Sequence, residues 1–232
     1  MKNMKQIFLF LLVLFSISSC KYNDENYYYE KAYQFEEKEQ YEEAIIELNK
    51  AKIFNPKFDK AYLNRAIDKS IIGEYESAIG DLNAVIELKP NSIEPYVWRA
   101  EYKRMLERYE EAMKDVEKAL SLKNTEYNGT NIVGPKEYNH NKLFPKGDNY
   151  NIEMEFIVFE RGATNYHLGN YSQALNDLEF SQQEISNPIS THYYMGLTLL
   201  ELNELTKACE EFKIAYKLGE TGVKEDIDKY CK

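Results

Sequence analysis

The sequence predicts an all-α solenoid of stacked helix-turn-helix units, and three observations carry that reading. The first is an echo every 34 residues: Ala44, Ala78 and Ala112 keep this step, as do Tyr41, Tyr75 and Tyr109, and Ala32, Ala66 and Ala100. The second is its return after an interruption, with Tyr171 and Ala174, and Ala208 another 34 residues on. The third is turn chemistry between paired helices, in Gly73-Glu74-Tyr75 and Gly169-Asn170-Tyr171, where glycine supplies the backbone angle that stops the first helix. A period of this length belongs to helical repeats, whose units bury their apolar faces only by stacking.

The elements follow in order. Met1–Lys5 carries two positive charges, Ile7–Ile17 is almost wholly apolar, and Ile17-Ser18-Ser19-Cys20 follows. A basic start, a short apolar stretch and small residues at the cut form a secretory signal, too short for a comfortable bilayer span. Its last four residues resemble the lipobox of bacterial lipoproteins, which implies cleavage before Cys20 and acylation of that cysteine. Residues 1–19 are then signal and 20–24 an acylated tether. Lys21 stands where Asp would resemble an inner-membrane retention signal, which favours the outer membrane. The run Asn23-Asp24-Glu25 loosely resembles a surface-export tag, or is simply a flexible tether.

Repeats start at Glu25, Asp59, Ile93, Glu155 and Ile189. The first supplies Tyr28, Ala32, Phe35, Ala44, Leu48, Ala51 and Pro56. The second supplies Tyr62, Ala66, Ala78, Leu82 and Pro90; the third has Tyr96, Ala100, Ala112, Val116 and Ala119, with Asn124 in place of the closing Pro. Gly162, Tyr171, Ala174 and Leu178 belong to the fourth, and Gly196, Leu199, Ala208, Phe212 and Ala215 to the fifth. These residues resemble the tetratricopeptide repeat pattern over about 170 of the 232 residues. The resemblance implies a right-handed superhelical solenoid of five repeats, with repeats one to three over residues 25–126 and four and five over 155–222. Small residues bring the two helices of a unit close, and aromatic residues fill the gaps around them.

Residues 127–154 interrupt the array. Gly129, Gly134, Pro135, Pro145 and Gly147 among many Asn and Tyr give no helical period. Residues 223–232 read as a short amphipathic cap, with Val223, Ile227 and Tyr230 on one side. Cys209 and Cys231 come level if the last helices are antiparallel. In an oxidising periplasm they either form a disulfide or remain ordinary thiols.

The tetratricopeptide resemblance also implies a concave groove lined by the first helix of each repeat. Mapped by register, its candidate binding residues are Tyr29, Tyr33, Leu63, Asn64, Ile67, Val97, Arg104, Phe159, Tyr166 and Tyr193, joined by Glu37, Ile71, Glu101, Met105, Phe156, His167, Leu197 and Glu201. Such a groove receives an apolar peptide or helix on aromatic anchors. Family members that clamp a C-terminal carboxylate use Lys, Asn and Arg at set places, of which only Asn64 matches; Tyr29, Tyr33, Glu94 and Trp98 hold the others.

Charge and motifs exclude other classes. Hydrophobic residues make up 44% and charged residues 29% of the chain, with a formal net charge of -10. An acidic chain with no basic stripe argues against nucleic acid. The sequence holds no HExxH, paired Cys-x-x-Cys, GxSxG or phosphate-cradling glycine loop, and three scattered histidines, His140, His167 and His192. Glu36-Glu37 and Glu210-Glu211 read as solvated helix faces. The expectation is a non-enzymatic adaptor without metal or cofactor, lipid-anchored in the bacterial envelope and docking a protein or peptide partner. The alternative is a lipoprotein that captures a glycan or peptide for uptake.

Overall fold

The structure, a computed structural model, describes residues 24–127, 154–184 and 189–231. The expected signal segment, Cys20, the tether up to Asn23, His140 and most of the interrupting segment lie outside the described residues. Among these residues there are eleven α-helices and no strand. They are α1 (Glu25–Glu36), α2 (Tyr41–Phe54), α3 (Asp59–Ile71), α4 (Tyr75–Leu88), α5 (Glu94–Met105) and α6 (Tyr109–Tyr127). After the interruption come α7 (Met154–His167), α8 (Tyr171–Glu184), α9 (Ile189–Glu201), α10 (Leu205–Leu218) and α11 (Lys224–Tyr230).

Each odd helix from α1 to α9 pairs with the even helix that follows it, and each pair packs on the next. The turn inside every pair has one geometry. Its left-handed residue is Glu39, Gly73, Glu107, Gly169 or Asn203, with φ of 58°, 82°, 59°, 77° and 62°. Behind it the backbone N–H of Gln40, Glu74, Arg108, Asn170 or Glu204 donates to the carbonyl five residues earlier, which closes the helix end. Only two of the five turns use the glycine that this angle favours; Glu39 and Glu107 hold it against the steric cost of a Cβ.

The core consists of nearest-neighbour layers. Ala32, Ala44, Leu48 and Ala51 pack with Ala61 of the second pair, and Leu63, Ala66, Ala78 and Leu82 with Tyr102 of the third. Ala100, Ala112, Val116 and Ala119 pack with Ile157 of α7, and Phe159, Ala163 and Leu178 with Met195 of α9. Phe212, Leu199, Ala208 and Ala215 are closed off by Val223, which is fully buried ahead of α11. Each large side chain so enclosed contributes about 1.5–3 kcal/mol.

Repeats four and five replace the small alanine with glycine, and Gly196 does so under duress. A Cβ there would lie 2.4 Å from Phe212 Cε1 and 2.5 Å from Cδ1. Phe212 stands where the earlier pairs carry Leu48, Leu82 and Val116, so the larger ring occupies the space of the missing methyl. At the C-terminal end Cys209 and Cys231 form a disulfide that ties α10 to the end of α11, with Cα atoms 5.5 Å apart. Closing a loop of 22 residues removes about 3 kcal/mol of unfolded-state entropy in the loop-closure treatment.

Candidate functional site

The residues mapped to the groove divide by burial. Leu63, Asn64, Ile67, Val97, Arg104 and Phe159 are buried, while Tyr29, Tyr33, Tyr166 and Tyr193 are partly exposed. The apolar members of the first group are packed into the layers between helix pairs. Val97 is sealed by the layer that includes Ile157, and Leu63 and Ile67 lie in the layer that includes Tyr102. Register on a single helix does not register the neighbouring pair that covers it.

What remains open concentrates on the last three pairs. An unbroken series of ring contacts runs from Trp98 to Phe156 (centroids 5.6 Å apart), on to Phe159 (6.3 Å), Tyr194 (6.0 Å) and Tyr166 (5.8 Å). Tyr193 adjoins Tyr194 at 5.9 Å, and His167 stacks flat on Tyr109 at 4.6 Å. Met105, His167 and Glu201 are exposed beside this aromatic wall.

Arg104 is fixed behind it. Its Nε and one terminal nitrogen donate to the two Glu160 oxygens at 3.1 and 3.2 Å, and the other terminal nitrogen donates to Tyr194 Oη at 2.8 Å. Glu160 is 1% exposed and 56 residues away in sequence, so this bidentate pair joins α5 to α7 across the interruption. Burial disfavours the Arg104 cation, yet the Glu160 charge and hydrogen bond, Tyr194 and Glu101 together outweigh it and hold the arginine pKa above its usual value. Nearby, burial and then the Glu160 charge raise the Glu101 carboxyl, whose Oε2 has no hydrogen-bond partner. Burial and then the Arg104 charge lower His167, whose Nε2 lies 3.4 Å from Tyr194 Oη.

Sequence reasoning missed a ladder of charges on the opposite side of the helix pairs. Arg99 Nε and one terminal nitrogen grip Asp115 at 2.9 and 2.6 Å, while its other terminal nitrogen reaches back to Asn83 Oδ1 of the preceding pair at 2.6 Å. Arg65 makes the same contacts to Asp81 and Asn49. Lys69 and Lys103 complete them, each 2.8 Å from its aspartate. Arg161 repeats the grip on Asp177 at 2.9 and 2.6 Å, but Glu117 stands where Asn49 and Asn83 would predict an amide. Beside it a cleft of about 460 Å³ opens between α6, α7 and α8, lined by Glu117, Arg161, Asn165 and Asn176 among others. The signal was present in the sequence: Asn49/Asn83, Arg65/Arg99, Lys69/Lys103 and Asp81/Asp115 all keep the repeat step.

Two acids expected on solvated faces or left unremarked are buried. Glu37 is exposed as expected, but Glu36 is 4% exposed and Asp68 fully buried, with no oxygen of either making a well-formed hydrogen bond. Burial pushes Glu36 up to about 7, partly offset by the amide of Asn64, and burial followed by the Glu36 charge pushes Asp68 up to about 9. His192 Nδ1 lies 2.5 Å from Glu211 Oε2, a contact that ties α9 to α10. Among the described residues no three His, Cys, Asp or Glu side chains converge as metal ligands, and no helix is long and apolar enough to cross a membrane.

Paired helices with a left-handed residue at one fixed register, small residues at the crossings and layers shared between neighbours define a tetratricopeptide solenoid. The family described as Tetratricopeptide repeat matches residues 93–126. Among solved structures, MamA from Desulfovibrio magneticus RS-1 is similar at a TM-score of 0.63 and 12% identity, over 84% of this chain and 94% of that one. PilW, described as a widely conserved type IV pilus biogenesis factor, superposes at 0.64 with 18% identity, over 85% of this chain and 78% of its own. A thermophilic tetratricopeptide protein of Thermus thermophilus does so at 0.61 and 13%, covering 89% of this chain and 98% of that one. These likenesses establish the fold. No curated protein matches the sequence.

Proposed function

We propose that this chain is a non-enzymatic interaction scaffold of the bacterial envelope, anchored through lipid on Cys20 and docking a peptide or helix of a partner protein. The observation that carries the docking is the aromatic wall of the last three pairs, with Tyr166, His167, Tyr193 and Met105 open beside the rigid Arg104–Glu160 pair. Aromatic side chains backed by a fixed charge pair suit an apolar peptide, because they contribute large contact area at little entropic cost. The likeness to PilW, described as a type IV pilus biogenesis factor, and to a protein solved as part of the APC/C hetero-tetramer Cut9-Hcn1 supports a scaffold role. The lipobox resemblance supports the anchor, and Lys21 in place of Asp supports an outer-membrane location.

The test is crosslinking and affinity capture of the full chain from its native envelope, beside a Tyr166→Ala/Tyr193→Ala variant whose helicity matches the parent. Loss of one partner from the variant alone supports the site. An unchanged partner set moves the contact to another face, and selective binding of a purified glycan by the parent favours ligand capture instead.

A further inference from the structure

The first helix pair carries an apolar surface that the groove does not use. Ile53 is 77% exposed, Phe54 55%, Ile46 52% and Tyr27 43%, and among the described residues Ile53 is the most exposed of the large apolar side chains. The comparison within the chain makes this unusual. Where α2 has Ile46, the later pairs have Gly80, Lys114, Asn176 and Glu210; where it has Ile53, they have Glu87, Ser121, Gln183 and Lys217. These two register positions, polar or without a side chain in the later pairs, are isoleucine only here.

The patch lies at the end of the pair where the chain enters. Tyr27 meets Tyr28 edge-on at 5.2 Å, Tyr28 stacks on Phe54 at 5.2 Å, and Asn55 Nδ2 donates to Glu25 Oε1 at 3.0 Å. The C-terminal end of α2 is thus tied to the first turn of α1, whose start is capped by Asp24. Asp24 is four residue steps after Cys20, a reach of about 14 Å when fully extended. Lys50 reaches over the Tyr28 ring, 5.8 Å from its centroid, while it pairs with Glu47 at 2.8 Å, a long basic stem beside an aromatic side chain.

We propose that Tyr27, Ile46, Ile53 and Phe54 form a bilayer-contact surface that seats the first repeat in the headgroup region. The proposal rests on the lipid anchor at Cys20. An acyl chain inserted at that cysteine brings the patch within its short tether's reach of the lipid, and burial of the apolar side chains in the interface then fixes how the solenoid stands on the membrane. The groove of the last pairs is presented at the far end of the array.

The test exploits the single free thiol of the mature chain, since Cys209 and Cys231 are paired and Cys20 is the only other cysteine. The mature chain is coupled through Cys20 to phosphatidylcholine vesicles carrying maleimide headgroups, made with plain or with brominated acyl chains. An Ile53→Trp variant reports the patch, read as the difference from the parent, whose sole indole is Trp98. The expected result is a blue shift on coupling and emission roughly halved by bromine, as for an indole sunk about 5–10 Å into the interface, both abolished when Ile46→Ser and Phe54→Ser are added. Emission indifferent to bromine on protein-loaded vesicles overturns the proposal. A blue shift that grows with protein concentration without lipid also overturns it, because a second copy then covers the patch. Mass spectrometry of the native chain decides the anchor separately: an unmodified Cys20 sinks that reading while the vesicle result still decides the contact.

Discussion

Gly196→Ala adds one methyl group to the most crowded crossing in the solenoid. On an ordinary helix the change stabilises by about 0.5–1 kcal/mol, because alanine loses less backbone freedom. Here the new Cβ would stand 2.4 and 2.5 Å from two atoms of the Phe212 ring, which is fully buried and has no room to retreat. Overpacking of a closed core costs about 1–3 kcal/mol, so the net expectation is a loss of about 1–2 kcal/mol. Phe212→Leu in the same chain restores the alanine–leucine pairing seen at Ala32–Leu48 and Ala66–Leu82, and the two substitutions should couple by about 2 kcal/mol. Because arrays of repeats unfold in parts, the readout is hydrogen exchange of amides in 189–218 together with the urea midpoint, for the four members of the cycle. The equivalent change at Gly162 meets only Leu178 atoms at 3.0 and 3.2 Å, besides Asp177 Cβ at 3.1 Å, and should be milder. A Gly196→Ala chain as stable as its parent, or a strictly additive double variant, would refute the packing account.

Other expectations follow from the turns, the buried acids and the Arg104 pair. Glu107→Gly relieves a left-handed non-glycine residue with φ of 59° and should stabilise by about 0.5–1 kcal/mol, the Cβ strain less the extra unfolded entropy; thermal unfolding with and without the change decides it. Glu36 and Asp68 have folded pKa values raised to about 7 and about 9. Folding therefore takes up protons, and their contribution is complete below about pH 4, falls as pH rises, and is lost through those values. The rise at Glu36 alone, from 4.5 to about 7, corresponds to about 3 kcal/mol, so the first two pairs should open more readily at pH 9 than at pH 5, and Asp68→Asn should flatten the dependence seen by hydrogen exchange. Arg104→Ala leaves Glu160 charged and buried, and should cost about 3–5 kcal/mol. Arg104→Met with Glu160→Leu should recover most of that loss in chemical denaturation.

The fold was legible because small residues at helix crossings and turn glycines recur in phase, and steric closeness admits few alternatives at Ala32, Ala66 or Ala100. The ladder of Arg65, Arg99 and Arg161 was equally periodic, yet charges on an amphipathic helix look like solvated surface until a neighbouring helix is placed beside them. Glu36 and Asp68 carry no local mark of burial at all; only the stacking of α1 and α3 encloses them. The groove residues divide by burial for a related reason. Periodicity fixes the direction of Val97 or Ile67 on its own helix, whereas exposure depends on the next pair, and the tyrosines left open are Tyr29 and Tyr33 of the first pair with Tyr166 and Tyr193 of the last two.

The pair between Arg104 and Glu160, with α6 packed against α7, joins the two parts of the array by contacts that do not run through residues 128–153. A chain cut in that stretch would still sediment and elute as one particle, its halves exchanging only as fast as the charged contact and its apolar layer come apart. Two separately made pieces, one ending with α6 and one starting with α7, are therefore expected to find each other and rebuild the solenoid.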